Sequence, residues 1–170
     1  KEITGDVSSL TDVYDTNKAS FTALGNENVT IDGTTTSAAD LNIIAAATTG
    51  KVTATLAPTT TIDADTVALL KDVKATDAIT FKTSVTALDG KDDLNALLAI
   101  KKLIPNANFS AINVINADAK DVALVKNVLK DVAANVAVTI DPLGDISAAD
   151  ANAIAKATNG VVIATIKAGS

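Results

Sequence analysis

The residues in this chain with the chemistry to hold a ligand are clustered carboxylates: Asp63 with Asp65, and Asp89 with Asp92 and Asp93. Carboxylate oxygens so close together in a loop are hard ligands suited to calcium. A third stretch, Asp141-Pro142-Leu143-Gly144-Asp145-Ile146-Ser147-Ala148-Ala149-Asp150, has the outline of an EF-type loop. With Ile146 at the eighth loop position, Thr139, Asp141 and Leu143 occupy the first, third and fifth, so one carboxylate stands where three are wanted. Asp150 falls at the twelfth position, but it also sits where a helix-capping residue belongs. The competing reading of every cluster is acidic charge at helix N-termini, where the macrodipole favours it. Calcium is therefore the one cofactor the composition allows, and the expectation is that none is bound.

The residue types that are missing remove whole classes of activity. All 14 basic residues are lysine, and there is no Arg, His, Cys, Met or Trp. Without His or Cys there is no imidazole general base near neutral pH, no thiolate nucleophile, and no nitrogen or sulfur ligand set for zinc, copper or haem. Without guanidinium there is no bidentate phosphate clamp, and a net charge of −6 opposes a polyanion, so nucleic acid is set aside as a partner. Paired carboxylates could cleave a polysaccharide, yet nothing singles out a pair, and Tyr14, Phe21, Phe81 and Phe109 are too scattered to form a sugar-stacking platform. The glycines occur singly, so no phosphate-cradling loop is expected, and no apolar run approaches the roughly 20 residues of a membrane span. Lys1 follows neither an initiator Met nor a signal pattern, and the chain reads as a mature or excised fragment.

The elements that would position these residues are set by repetition. Ser37 to Leu56 and Ser147 to Ile166 match at 13 of 20 positions, and each is preceded by Val-Thr-Ile-Asp, at 29–32 and 138–141. Short β-branched runs at Val29–Ile31, Val52–Leu56, Ala78–Phe81, Phe109–Val114, Val136–Ile140 and Val161–Ile166 read as strands. Between them lies helical periodicity: Leu41, Ile44, Ala45 and Thr48; Val67 and Leu70; Leu94, Leu97, Leu98 and Ile104; Val122, Val125, Leu129 and Val132; Ala151, Ile154, Ala155 and Thr158. Ser37 and Ser147 are expected N-caps with Asp40 and Asp150 three residues on, a variant capping box, and Gly50 and Gly160 are expected left-handed stops. A further helix, capped by Ser8 or Ser9 and running through Asp15, is expected near the start.

Strands joined by helices should be parallel. Val52, Ala54 and Leu56 alternate with Thr53 and Thr55, as Val136, Val138 and Ile140 do with Ala137 and Thr139, so one sheet face is expected to meet solvent. This favours an α/β right-handed repeat solenoid of strand–helix units, its parallel sheet carrying helices on one side in a leucine-rich-repeat-like layout. The alternative is a doubly wound parallel sheet. The expected domain is a single one over 1–170: a partial unit 1–28, units of about 29–51, 52–77, 78–108, 109–135 and 136–160, and a terminal strand 161–166. Thr53, Thr55, Thr80, Thr139 and Thr165 on the exposed face read as β-propensity rather than as an ice-binding lattice.

The run Ala23-Leu24-Gly25-Asn26-Glu27, then Val29-Thr30-Ile31-Asp32, Ser37-Ala38-Ala39-Asp40-Leu41-Asn42 and Thr48-Thr49-Gly50-Lys51-Val52-Thr53-Ala54, resembles the degenerate repeats of very large secreted bacterial proteins, notably those of cyanobacteria. That resemblance implies an extracellular, cell-surface, adhesive or S-layer-like setting. The expectation is a non-enzymatic structural or self-assembling module that associates with itself or with neighbouring repeat domains, its last strand offering an uncapped edge. The alternatives are a module that binds or acts on a surface glycan and a calcium-stabilised adhesive domain.

Overall fold

The computed structural model describes residues 1–33, 36–141 and 144–169. Pro142 and Leu143, which belong to the loop compared with an EF-type site, lie outside the described residues, as do Thr34, Thr35 and Ser170. The architecture is mixed α/β, with parallel sheets and no closed barrel. The chain forms two compact units: Lys1–Thr60 with Asp65–Lys82 and Ile100–Ala107, and Thr61–Ala64 with Thr83–Ala99 and Asn108–Ser170.

In the first unit β1 (Glu2–Asp6) leads into α1 (Val7–Thr11), a π-helical turn (Asp12–Thr16) and a 3-10 turn (Lys18–Ser20). Then follow β2 (Asn28–Asp32), α2 (Ala38–Ala47), β3 (Val52–Thr55), α3 (Ala64–Leu69) and β4 (Ala78–Thr80). These strands form one parallel sheet in the order β1-β2-β3-β4. After them come β5 (Ala87–Asp89), α4 (Gly90–Leu103), β6 (Val114–Ala117) and a 3-10 turn (Ala119–Asp121). The chain continues through α5 (Val122–Val128), β7 (Ala137–Ile140), β8 (Asp145–Ile146), α6 (Ala148–Ala157), β9 (Val162–Ile163) and β10 (Thr165–Ile166). A second parallel sheet runs β5-β6-β7-β9, and β8 pairs with β10 in a two-stranded ladder.

The strands of the two copies thus lie in separate sheets rather than in one. The run at Ala78–Phe81 ends as a strand at Thr80, and the one expected at Phe109–Val114 begins only at Val114. Phe109 instead bridges Val132 and accepts the Ile112 N–H in a turn, so both side chains reach the core without a ladder. The Val161–Ile166 run divides at Ala164 into β9 on β7 and β10 on β8. The opening segment is a complete strand and helix, and its N-cap is Asp6, whose carboxylate accepts the Ser9 N–H at 2.9 Å, not Ser8 or Ser9.

Alternation places the core as expected. Val52, Ala54 and Leu56 are buried beside exposed Thr53, and Val136, Val138 and Ile140 beside half-buried Ala137 and Thr139. Leu41 and Ile44 of α2 are fully buried, each such side chain contributing roughly 1.5–3 kcal/mol. On the other face Thr4, Thr30 and Thr53 are cross-strand neighbours, but the row then meets Ala78. The matching row of the second sheet is Asp89, Asn116, Thr139 and Ile163, so no threonine lattice forms.

The duplication extends to individual hydrogen bonds. Ser37 Oγ accepts the Asp40 N–H at 3.1 Å and its hydroxyl donates to Asp40 Oδ2 at 2.7 Å; Ser147 does the same with Asp150 at 3.0 and 2.8 Å. The capping box closes through the serine hydroxyl rather than through the cap's own backbone. After each helix Thr48 and Thr158 act alike. Thr48 Oγ1 donates to the Glu27 carbonyl at 2.7 Å and accepts the Gly50 N–H at 3.0 Å; Thr158 Oγ1 donates to the Val136 carbonyl at 2.6 Å and accepts the Gly160 N–H at 2.9 Å.

Gly50 and Gly160 are not left-handed stops; the positive-φ glycines among the described residues are Gly25, Gly33, Gly90 and Gly169. The reason for glycine is close approach. A Cβ on Gly50 would lie 2.0 Å from the Glu27 oxygen, and one on Gly160 2.1 Å from the Val136 oxygen.

Gly160→Ala must push backbone from backbone, and we expect it to lower stability by about 1–3 kcal/mol or more, whereas Ser147→Ala should lose about 1 kcal/mol. Urea denaturation midpoints check both; a Gly160→Ala midpoint equal to wild type would show that the approach is not obligatory.

Candidate functional site

The carboxylates that the sequence groups together stand at the junctions before helices and in their first turns. Asp63 is half-buried in the bend before α3, while Asp65 is exposed in the first turn of that helix. Asp89 ends β5, with its Oδ1 accepting from Asn116 Nδ2 at 2.7 Å. Asp93 turns back to accept the Asp89 N–H at 2.9 Å, and Asp92 is exposed on the first turn of α4. Asp65, Asp92 and Asp93 stand in the first turns of helices, where the macrodipole favours acidic charge. Asp150 is engaged by Ser147 and by Lys126 Nζ at 2.8 Å, which together hold its carboxyl below its ordinary value, Lys126 contributing most. Among the described residues no group of three or more potential ligands is placed to hold a metal ion.

An open cleft of about 340 Å3 does lie at the C-terminal ends of β5, β6 and β7, lined by Gly90, Asn116, Ala117, Asp118, Thr139 and Asp141. Parallel sheets present ligands at this end of their strands. A second hollow of about 290 Å3 shares Asp118 and Asp141 and adds Ala119, Lys120 and Gly144. Asp118 is paired with Lys120 at 2.7 Å, and Asn116 is held by Asp89. The lining offers oxygen acceptors and a hydroxyl for small polar groups, without an aromatic wall.

The other distinctive surface is the far side of β9 and β10. By the 13-of-20 match, Val52, Thr53, Ala54, Thr55 and Leu56 correspond to Val162, Ile163, Ala164, Thr165 and Ile166. The ladders correspond too: Val29 pairs with Val52 as Val138 does with Val162, and Thr36 bridges Leu56 as Ile146 pairs with Ile166. Burial does not. Leu56 is 1% exposed and Ile166 45%, and Val162 and Ala164 are only half-buried where Val52 and Ala54 are buried. The difference is a neighbour: β3 carries β4 on its outer side, whereas β9 ends its sheet.

Sequence reasoning missed one buried ionisable pair. Glu27 is 1% exposed, and its carboxylate accepts the Tyr14 hydroxyl at 2.6 Å and the Gly25 and Asn26 N–H groups at 3.0 and 3.2 Å. Burial pulls Glu27 upward, but the tyrosine and backbone donors together outweigh it and hold the carboxyl below its ordinary value of 4.5. Burial, and then the neighbouring carboxylate, drive Tyr14 upward. Aligning the two Val-Thr-Ile-Asp tetrapeptides would have exposed the pair, because Glu27 then falls opposite the apolar Val136.

No protein-family model matches the chain, and no curated protein and no solved structure matches it.

Because the folded Glu27 carboxyl titrates below its unfolded value, its contribution is complete above about pH 4.5 and is lost as the pH falls through the depressed folded value. Glu27→Gln should flatten this acid limb and lower stability at neutral pH. Thermal unfolding from pH 7 to pH 3 checks it: an acid limb as steep in the variant as in wild type would assign the loss to other carboxylates.

Proposed function

We propose that this chain is a non-enzymatic structural repeat module that assembles with copies of its own kind, and that its setting is the outer surface of a bacterial cell. The observation that carries this reading is the duplicated strand–helix unit whose second copy leaves Ile166 exposed where its first copy buries Leu56. In both copies the polar residues at recurring positions, the serine caps and the threonine–glycine contacts, are used to build the unit. Strand order rises with sequence in both four-stranded sheets, without the reversal at which doubly wound sheets bind cofactors, and this supports a solenoid. The resemblance of residues 20–56 and 136–166 to repeats of secreted bacterial proteins supports the extracellular setting.

The cleft at Asp118, Thr139 and Asp141 favours a second reading, a module that binds a surface glycan through its hydroxyl groups. Sedimentation velocity of the full chain over a wide concentration range decides between them. The structural reading expects a mass that grows with concentration. A strictly monomeric chain, together with glycan-array binding that Asp118→Ala abolishes, would overturn it in favour of the second.

A further inference from the structure

The outer edge of β9 and β10 has a defined hydrogen-bonding phase. Val138 N–H donates to the Val161 carbonyl, and Lys167 N–H to the Ile146 carbonyl, both at 2.9 Å. Backbone groups alternate along a strand, so Val161, Ile163, Thr165 and Lys167 face the neighbours already present, and Val162, Ala164 and Ile166 face outward. In the first copy the corresponding outward groups are occupied. Val52 N–H donates to Asp77 Oδ1 at 2.8 Å and Leu56 N–H to the Thr80 carbonyl at 2.9 Å, while Thr53, Ala54 and Thr55 lie beside Ala78, Ile79 and Thr80.

The chain holds a second segment of that pattern with a free side. β1 is the other edge strand of the first sheet, and it reads Glu2-Ile3-Thr4 where β4 reads Ala78-Ile79-Thr80. Asn28 N–H donates to the Lys1 carbonyl at 3.0 Å, so Lys1, Ile3 and Gly5 face β2 and Glu2, Thr4 and Asp6 turn their backbone groups to the open edge. This is the phase of β4, in which Thr80 faces β3. Charge agrees with the match. Residues 1–17 carry Glu2, Asp6, Asp12 and Asp15 against the single Lys1; residues 152–169 carry Lys156 and Lys167 and no acid.

We propose that the open edge of β9 and β10 takes β1 of a second copy of this chain as its next parallel strand, with Ile163, Ala164 and Thr165 beside Glu2, Ile3 and Thr4 of that copy. The contact is head to tail, so it uses different surfaces on the two copies and leaves one of each free to continue the array. Ile166 then gains the cover that Leu56 has, and the basic end of one copy meets the acidic start of the next, which selects against head-to-head and tail-to-tail pairs. This inference rests on the reading of the chain as a self-assembling module.

The test uses full-length chains in sedimentation velocity: wild type, Thr4→Pro, Ile166→Asp and an equimolar mixture of the two variants. Proline is tolerated at an edge position whose N–H faces outward, and Ile166 is exposed, so both variants should keep the wild-type melting curve. If Thr4→Pro does not keep it, Asp12→Lys with Asp15→Lys, both exposed positions, replaces it as the head variant. Each variant alone should associate about tenfold or more weakly than wild type, while the mixture recovers association and stops at a 1:1 dimer. Wild-type association should weaken as salt rises. Undiminished association of the head variant alone, or of Ile166→Asp alone, would overturn the head-to-tail contact while leaving self-assembly standing. A wild-type chain that never associates would remove the reading beneath it.

Discussion

The closeness of the backbone just after each repeated helix to the start of the preceding strand governs the rest of the unit. At Gly50 and Gly160 there is no room for even a methyl group against the carbonyl it passes, and the threonine two residues earlier bonds to that same carbonyl and to the glycine N–H. One hydroxyl thereby satisfies a strand carbonyl and a loop N–H that would otherwise be buried without partners. The returning chain is delivered at strand spacing, so Val52 lands beside Val29 and Val162 beside Val138. The caps at Ser37 and Ser147 fix where each helix begins, and the two contacts together set the span of helix between consecutive strands.

Several of the acidic residues serve the same economy of backbone partners. Asp6, Asp77 and Asp93 each accept a backbone N–H at a strand or helix boundary, and Asp77, with its side chain fully buried, accepts two. Lys74 completes the arrangement by donating to the Ala45 and Thr48 carbonyls at the end of α2, where a cation is favoured. Asp77 and Asp93 stand in for ladder partners by taking the Val52 and Asp89 N–H groups, while Asp6 caps a helix. A carboxylate used in this way is distributed along the fold rather than gathered at one point.

Much of this was legible in residue order, because the copies repeat their own punctuation. The strands at Val29, Val52 and Val136, the five longer helices and the two serine caps stand where alternation and 3.6-residue periodicity place them. The elements that escaped are those whose periodic signal is too short. β1 contains one large apolar residue, Ile3, and β5 contains one, Leu88, so neither displays alternation. Phe109 and Ile112 misled in the opposite direction, since two buried apolar side chains in a turn look like half a strand. The glycines were correctly located but wrongly explained: glycine marks both a left-handed residue and a crowded one, and sequence does not distinguish them. Asp65, Asp92 and Asp93 fall in helix first turns as acidic charge before an apolar period suggests, whereas Asp89 ends a strand; whether carboxylate oxygens converge depends on distances that spacing does not encode.

Two nearly identical segments in one chain invite each to fold in the other's place, a hazard for repeat proteins during synthesis. Glu27 gives the first copy an address. Its carboxylate is satisfied only where Tyr14 and the Gly25–Asn26 turn converge on it, whereas the corresponding position in the second copy is filled by the apolar Val136. A swapped arrangement would carry the Gly25 and Asn26 donors along with Glu27 but take its carboxylate from the Tyr14 hydroxyl, leaving that buried donor without its acceptor. One polar residue in an aliphatic core thus distinguishes the first copy from the second, and the place each segment takes becomes a property of the folded chain as well as of its covalent sequence.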